Sequence, residues 1–354
     1  MTMKQISKYY LISLIVLSFC LSCSKEDNAG VVRYGGEIRF NTSLAETKGA
    51  TLFEGDDPLK NISIGGGDFT VHAYESDDMG HYINDAWVSF FKGGTDKWHF
   101  RDDGGTPSDI TDDAYIDYYW PEGHNLDFFA YMPYMHRMDN TYVTVIDDTS
   151  GGSPYFTCEL PLDNDQDQVQ EFIYAYASDQ NRNTQGTDGV KLRFIHPFST
   201  VVVRLEESYR MTIKTISFEN IYYSGTYSVD FSTIDSTGDH TCWNTQGKSK
   251  SDMILEINEP VPGDKINFNT EVGGPYMVLP QNLDGVTFSI TFDRDDVGEA
   301  TRRIAVKTLS VPSWEPGKRY TYDIILGDPQ EEILFNVLVD EWNVVDYKQE
   351  IDVE

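Results

Sequence analysis

The sequence predicts an all-β protein built from antiparallel β-sandwiches, and two observations support this. Short segments rich in Val, Ile, Phe, Tyr and Thr alternate apolar with polar residues, most clearly over 69–73, 286–292 and 320–326. Glycine pairs and proline-containing pairs separate these segments. A two-residue period places one face of a strand on a core and the other toward water, as in antiparallel sheets, and many short strands with frequent turns favour sandwiches.

The N-terminal residues indicate a secretion signal. Lys4 and Lys8 form a short basic start, and residues 11–21 are an apolar run of 11 residues. This run is too short to span a bilayer, which needs about 20 apolar residues. Ser22, a small residue, precedes Cys23. We therefore predict a lipoprotein signal over 1–22, with Cys23 acylated as the new N-terminus. Ordinary secretion with Cys23 incidental is the alternative.

The charge of the processed chain limits its partners. The 354 residues include 27 Lys and Arg against 58 Asp and Glu. Removal of residues 1–22 takes away two lysines and no acids, which leaves 25 basic and 58 acidic residues and a net charge of about −33. Such a chain repels phosphate backbones, so nucleic-acid binding is not expected. It also repels an anionic membrane surface, so the lipid at Cys23 must supply any anchor.

Two cysteines remain beyond the predicted signal and its acylated residue, namely Cys158 and Cys242. They stand 84 residues apart, and nothing in that spacing indicates a disulfide. Two isolated buried thiols are the favoured interpretation. A disulfide formed in an oxidising compartment is the alternative.

The pattern along the chain predicts a tether and two domains. Residues 23–36 are polar and contain glycine, which is typical of a linker. The long apolar stretch 190–205 predicts one or two core strands, and polar residues 206–208 follow it. We therefore predict an N-terminal domain over 37–207 and a C-terminal domain over 208–354.

One segment departs from the two-residue period. Val169, Phe172, Ile173 and Tyr176 recur at helical spacing, which predicts a short helix over 168–177.

The sequence offers little catalytic or metal-binding chemistry. Its seven histidines are scattered, and no zinc pair, nucleophile elbow or phosphate loop is present. His196 lies in an apolar run and is predicted to be a core histidine. Residues 163–167 imitate the start of a calcium loop, but Gln168 and Tyr174 replace the required Gly and Glu, so a solvated acidic loop is favoured. We expect no enzyme activity, no cofactor and no metal.

Two aromatic clusters, over 118–121 and 128–131, are candidate platforms for sugar stacking. Aromatic residues at strand positions more often pack in a core, and we favour that interpretation. A surface lipoprotein that binds polysaccharide through exposed aromatics stays open as an alternative function. A glycan-degrading enzyme is a further alternative, and it would need two carboxylates at a cleft.

Eight short segments follow one another along almost the whole processed chain. They are EIRF (37–40), DFTVHAY (68–74), YWP (119–121), LDFFAYMP (126–133), LRFIHPFS (192–199), VLPQ (278–281), WEPGKRYTY (314–322) and VDEW (339–342). In this order they resemble the fimbrillin family of anaerobic Gram-negative bacteria, in its minor-fimbria-like branch.

The resemblance implies two transthyretin-like antiparallel β-sandwich domains in tandem and export as an outer-membrane lipoprotein. It also implies assembly with other fimbrial subunits into a surface fimbrium, with host or bacterial surface glycans or proteins as a further class of partner. In such proteins a protease cuts after an Arg that follows the first strand, and a strand of a neighbouring subunit fills the exposed groove. Here Lys48 stands at the corresponding place and is the expected cut site.

Residue patterns at both ends of the chain fit strand exchange. Ile38 and Phe40 alternate with polar residues and are predicted to belong to the displaced strand. The predicted donor strand carries four apolar residues on one face: Val345, Tyr347, Ile351 and Val353. The alternative is that this segment forms the last strand of the C-terminal domain.

Overall fold

The computed structural model describes residues 36–44, 68–91, 97–102, 114–134, 142–146, 154–169, 171–207, 210–228, 243–261, 270–294, 298–305, 311–326 and 334–341. Almost all of the regular structure in these residues is strand, which confirms the predicted all-β class.

Ten strands lie in the described residues up to position 194. They are β1 (Phe40–Leu44), β2 (Phe69–Glu75), β3 (His81–Phe91), β4 (Lys97–Asp102), β5 (Ala114–Ile116), β6 (Leu126–Met132), β7 (Val143–Ile146), β8 (Tyr155–Glu159), β9 (Ile173–Gln180) and β10 (Val190–Phe194). A 3-10 helix (Asn164–Gln168) precedes β9, and one helical turn, α1 (Arg182–Gln185), follows it.

Twelve more strands follow in the described residues. They are β11 (Ser199–Glu207), β12 (Met211–Tyr222), β13 (Ser224–Ser228), β14 (Trp243–Asn244), β15 (Lys250–Val261), β16 (Thr270–Val278), β17 (Gln281–Asn282), β18 (Thr287–Arg294), β19 (Gly298–Ala305), β20 (Ser313–Trp314), β21 (Lys318–Leu326) and β22 (Leu334–Glu341).

The N-terminal part is organised around a six-stranded antiparallel sheet in the order β5-β4-β3-β2-β6-β9. Its first face packs on a core that includes Phe69, Phe100 and Phe128. The pair β1-β10 contributes Phe40 and Leu192 to the same core and so lies across it from the sheet.

The second face of the six-stranded sheet is also buried. Phe129, Tyr131 and Tyr174 belong to a separate core that Phe156 and Tyr227 complete. The last two residues come from the four-stranded sheet β14-β13-β8-β7. For this reason every residue of β6 is buried. The prediction that each strand turns one face to water is therefore wrong for β6, because this sheet lies between two cores.

The C-terminal part is a β-sandwich of two four-stranded sheets, β16-β11-β21-β22 and β15-β12-β18-β19. Val203 and Tyr322 of the first sheet share one core with Phe218, Leu255 and Phe288 of the second. The predicted strands 286–292 and 320–326 correspond to β18 and β21, as the sequence indicates.

Two sequence predictions are refined or corrected by these elements. The stretch 190–205 contains two strands, β10 and β11, and their pairings with β1 and β21 are parallel within otherwise antiparallel surroundings. The helix predicted over 168–177 is wrong, because residues 173–177 belong to β9 and Val169, Glu171 and Phe172 are not helical. Phe172 and Tyr174 face one core while Ile173 and Ala175 face the other, so apolar residues follow one another and imitate helical spacing.

Strand pairing also bears on how the chain is divided. β11 pairs with β16 and β21, whose residues lie after position 208. β8 pairs with β13, and so joins segments from before and after that position in one sheet. The division into domains 37–207 and 208–354 stays a prediction. Among the described residues, no helix is long and apolar enough to cross a bilayer.

Candidate assembly site

The first strand is the candidate functional element, because it forms half of a two-stranded layer. Phe40–Leu44 pairs in parallel with Val190–Phe194, and the register joins Phe40 to Val190 and Leu44 to Phe194. This layer covers the first face of the six-stranded sheet. In the described part of the chain, removal of β1 would leave β10 as the one strand of that layer.

Side chains of this strand and of the two residues before it alternate between core and solvent. Ile38, Phe40 and Thr42 are buried, with 2%, 7% and 5% of their surface exposed, whereas Arg39 and Asn41 are exposed. The alternation predicted for Ile38 and Phe40 is therefore present. Burial of two large apolar side chains contributes about 1.5–3 kcal/mol for each to retention of the strand.

Aromatic rings surround the Phe40 side chain. Its ring meets those of Phe69, Phe100 and Phe128 edge to face, at centroid distances of 5.7, 5.3 and 5.8 Å. Such contacts add about 0.5–1.5 kcal/mol for each pair beyond the area that they bury. The position of Phe40 is thus a preformed aromatic pocket in the wall of the N-terminal core.

Polar contacts hold the same strand from both sides. The main-chain N–H of Ile38 donates to the Tyr118 carbonyl at 2.8 Å, and that of Val190 donates to the Arg39 carbonyl at 2.7 Å. The Trp98 indole N–H donates to the Thr42 hydroxyl at 3.0 Å, in a buried position. Backbone and side-chain bonds therefore fix the strand in one register.

The buried amide of Gln185 makes two further contacts with the residues just before this strand. Its Oε1 accepts from the main-chain N–H of Arg39 at 2.9 Å, and its Nε2 donates to the carbonyl of Glu37 at 3.0 Å. Gln185 is the last residue of α1, which a capping box formed by Asn181 and Thr184 stabilises. The sequence gives no signal for this residue, because the contacts join positions more than 140 residues apart.

The other predicted site residues lie outside the described residues. These are Cys23, Lys48, Val345, Tyr347, Ile351 and Val353. Lipidation, proteolytic processing and the donor strand thus stay predictions.

Several predicted chemical sites turn out to be structural. His196 is buried and hydrogen-bonds Glu171, which confirms the core interpretation. The aromatic residues of 128–131 are buried, which confirms the core interpretation of that cluster. In the cluster 118–121, Trp120 is buried, whereas Tyr118 and Tyr119 are half-buried. Tyr115 is an aromatic residue with an exposed side chain.

The acidic segment 163–167 begins the 3-10 helix, with Asp163 as its N-cap. Asp163, Asn164 and Asp165 are exposed, as expected of a solvated loop. No group of three or more metal-ligating side chains occurs within the described ranges.

Residues 160–166 form a strap that contacts β15, β16 and the residue between β12 and β13, a role that the sequence did not indicate. The Asn164 side chain exchanges two 2.8 Å hydrogen bonds with the main chain of Glu256 on β15. Oε1 of buried Gln166 accepts from the Met277 N–H on β16 at 3.1 Å. The Leu160 N–H donates to the carbonyl of Tyr223, which lies between β12 and β13, at 2.8 Å. The strap therefore ties the segment after β8 to the C-terminal sheets.

Cys158 is a buried free thiol in the core between β8 and the six-stranded sheet. Burial raises its pKa from 9.0 to about 12, because a thiolate would lose its hydration there. The thiol is therefore protonated and unreactive at neutral pH. Its predicted counterpart, Cys242, lies outside the described residues.

Comparison with known proteins decides the family. The profile of the fimbrillin-like family matches residues 86–342, which is most of the chain. The chain belongs to the fimbrillin-like family. This match confirms the resemblance that the eight sequence segments indicated. No curated protein sequence matches this fimbrillin-like chain.

Solved structures agree on the fold of this fimbrillin-like protein. A fimbrial protein from Bacteroides vulgatus has 15% sequence identity and a TM-score of 0.56, and the alignment covers 87% of this chain and 99% of that chain. A candidate cell adhesion protein from Bacteroides uniformis has 12% identity and a TM-score of 0.51, with 87% and 98% covered. At these identities the likeness concerns the fold alone.

Proposed function

We propose that this fimbrillin-like protein is a cell-surface fimbrial subunit or a fimbria-associated adhesin that assembles with other fimbrial subunits by strand exchange. Its role is structural rather than enzymatic. Acylated Cys23 anchors the exported chain in the outer membrane, a protease cuts at Lys48, and release of β1 opens a groove in the N-terminal core. The segment 345–353 of a neighbouring copy then enters that groove.

One observation supports this proposal most directly. β1 is a short strand with buried Phe40 and Thr42, preceded by buried Ile38, and it forms half of the layer that covers the core. Loss of β1 would expose an aromatic pocket and one edge of β10. An incoming strand that alternates apolar and polar residues can occupy both features. Its main-chain groups can hydrogen-bond the edge of β10, and its apolar side chains can fill the pocket.

Deletion of residues 345–354 tests the proposal. The truncated protein should fold as a monomer, by circular dichroism and size-exclusion chromatography, and should form no filaments on cells in electron micrographs. Ile351→Asp with Val353→Asp should give the same loss, whereas Asp346→Ser with Asp352→Ser, on the opposite face of the predicted strand, should assemble normally. Normal filaments from the truncated chain would rule out this donor segment.

N-terminal sequencing of protein taken from the cell surface tests the processing steps. A blocked chain that begins at Cys23 would be the uncut lipoprotein, whereas a chain that begins at Gly49 would be the processed subunit. A start at any other residue would contradict both steps.

A further inference from the structure

The Gln185 amide occupies the place of a neighbouring strand residue. In a parallel pair, a residue that lies opposite residue i of the neighbouring strand forms two main-chain hydrogen bonds with that strand. Its N–H donates to the carbonyl of residue i−1, and its carbonyl accepts from the N–H of residue i+1. Gln185 bonds the carbonyl of Glu37 and the N–H of Arg39, which flank Ile38. Because Phe40 is the first residue paired with β10, the side-chain amide continues that ladder beyond the start of β10.

Gly189 allows this close approach. Its φ is +98°, and a Cβ at this position would lie 2.8 Å from the main-chain carbon and oxygen of Arg39. Any larger residue would therefore push β1 away from β10. Gly189 also donates its N–H to the carbonyl of Gln185 at 3.2 Å, which links the two residues.

We propose that Gln185 and Gly189 form a main-chain clamp that sets the register and retention of whichever strand occupies the groove. The clamp contacts amide and carbonyl groups, which every non-proline sequence carries, so it can hold β1 and later a strand of different sequence. Selection among strands is then left to the pockets of Ile38 and Phe40. The part that concerns a strand from a second copy rests on the proposed function.

Hydrogen exchange on the full chain tests retention of β1 without any assembly. Gln185→Met removes both contacts and should speed exchange of the Ile38 and Val190 amides about tenfold or more. Gln185→Glu keeps the acceptor for Arg39 and should have a smaller effect. Gln180→Met is the matched control, because the Gln180 amide donates to Ser178 within its own strand at 2.7 Å.

The amides of β6 give the internal reference for this experiment. They should exchange equally slowly in all four proteins, since β6 is buried on both faces. Equal exchange of the Ile38 and Val190 amides in Gln185→Met and Gln180→Met would overturn the proposal. A matching acceleration in β6 would overturn it as well, because Gln185 would then act on global stability.

Peptide competition tests whether Gln185 recognises the main-chain groups of the bound strand. The chain is given a specific protease site in place of residues 46–50 and is cut there, and a synthetic peptide of residues 36–45 competes with the cut β1. N-methylation of the peptide at the Arg39 nitrogen should weaken its binding to the cut protein that retains Gln185 about tenfold. The same modification should weaken binding to the cut Gln185→Met protein much less. An equal loss with both proteins would overturn the clamp.

A peptide of residues 345–354, offered to the same cut proteins, extends the test to the donor strand. The clamp predicts capture by the protein with Gln185 and about tenfold weaker capture by Gln185→Met. Equal capture would overturn its role for an incoming strand. If neither protein binds this peptide while the 36–45 peptide behaves as expected, the donor assignment fails and the clamp on β1 stands.

Discussion

The hydroxyl oxygens of Tyr174 and Tyr227 lie 2.5 Å apart in a buried position, and the two rings meet edge to face. Tyr174 belongs to β9 of the six-stranded sheet, and Tyr227 belongs to β13 of the sheet that covers its second face. This pair thus joins segments that lie before and after the predicted boundary at 207/208. The core around it is shared by both parts of the chain.

Coupling between these two tyrosines is the first prediction. Tyr174→Phe and Tyr227→Phe should each lower the free energy of unfolding by about 1 kcal/mol, because each removes the shared hydrogen bond. The double variant should lose less than the sum of the two, since the bond can be lost only once. Urea denaturation of the four proteins measures this cycle. Strict additivity would show that the hydroxyls do not interact in solution.

Phe40 should contribute far more to stability than its neighbour Asn41. Phe40→Ala removes a ring that contacts three other aromatic rings, and we expect a loss of about 3–5 kcal/mol. Asn41→Ala changes an exposed side chain of the same strand and should cost less than about 0.5 kcal/mol. Comparable losses in urea denaturation would mean that the strand does not occupy its pocket.

The buried thiol predicts an alkaline loss of stability. Cys158 binds its proton more tightly in the folded state, since burial raises its pKa from 9.0 to about 12. The stabilisation is complete below pH 9 and is lost as pH rises from 9 toward 12, because the unfolded chain releases that proton first. Cys158→Ala should therefore show a shallower decline than the unchanged protein.

Unfolding free energies measured from pH 7 to 11 would reveal that difference. Burial also raises the pKa of Tyr322, but this contribution has the same sign in both proteins and cancels in the comparison. Parallel pH profiles would contradict the assignment to Cys158.

The strap gives a prediction about local opening. Asn164→Ala removes both hydrogen bonds to Glu256 and should cost about 1–2 kcal/mol, with faster exchange of the Glu256 amide. Asn164→Asp keeps the acceptor and loses the donor, so its loss should be smaller. Hydrogen exchange, detected by mass spectrometry on peptides from β15 and β12, measures the effect. Acceleration confined to β12 would exclude Asn164 as a tie for β15.

The fold was predictable where burial follows a simple period. β18 and β21 alternate in sequence and were predicted as strands, and Ile38 and Phe40 turn inward as their alternation indicates. β9 was misjudged because it lies between two cores, so that apolar residues occur on both of its faces. A strand buried on both sides cannot be told from a buried helix by periodicity alone.

The candidate site was only partly predictable for a different reason. The residues that hold β1 and the strap act through side-chain amides that bond main-chain groups far away in sequence. Gln185 contacts residues more than 140 positions away, and Asn164 contacts a residue 92 positions away. Such contacts follow from how the sheets stack, and a glutamine or asparagine in a polar stretch carries no mark of them.

The two-sided burial of β6 restricts where this molecule can diversify. A substitution in β6 disturbs one of the two hydrophobic cores whichever face the side chain lies on. In contrast, the side chains of Asp252, Ile254 and Glu256 on β15 are exposed to solvent. Natural variants of this protein should therefore differ along β15 and keep the middle of the six-stranded sheet unchanged.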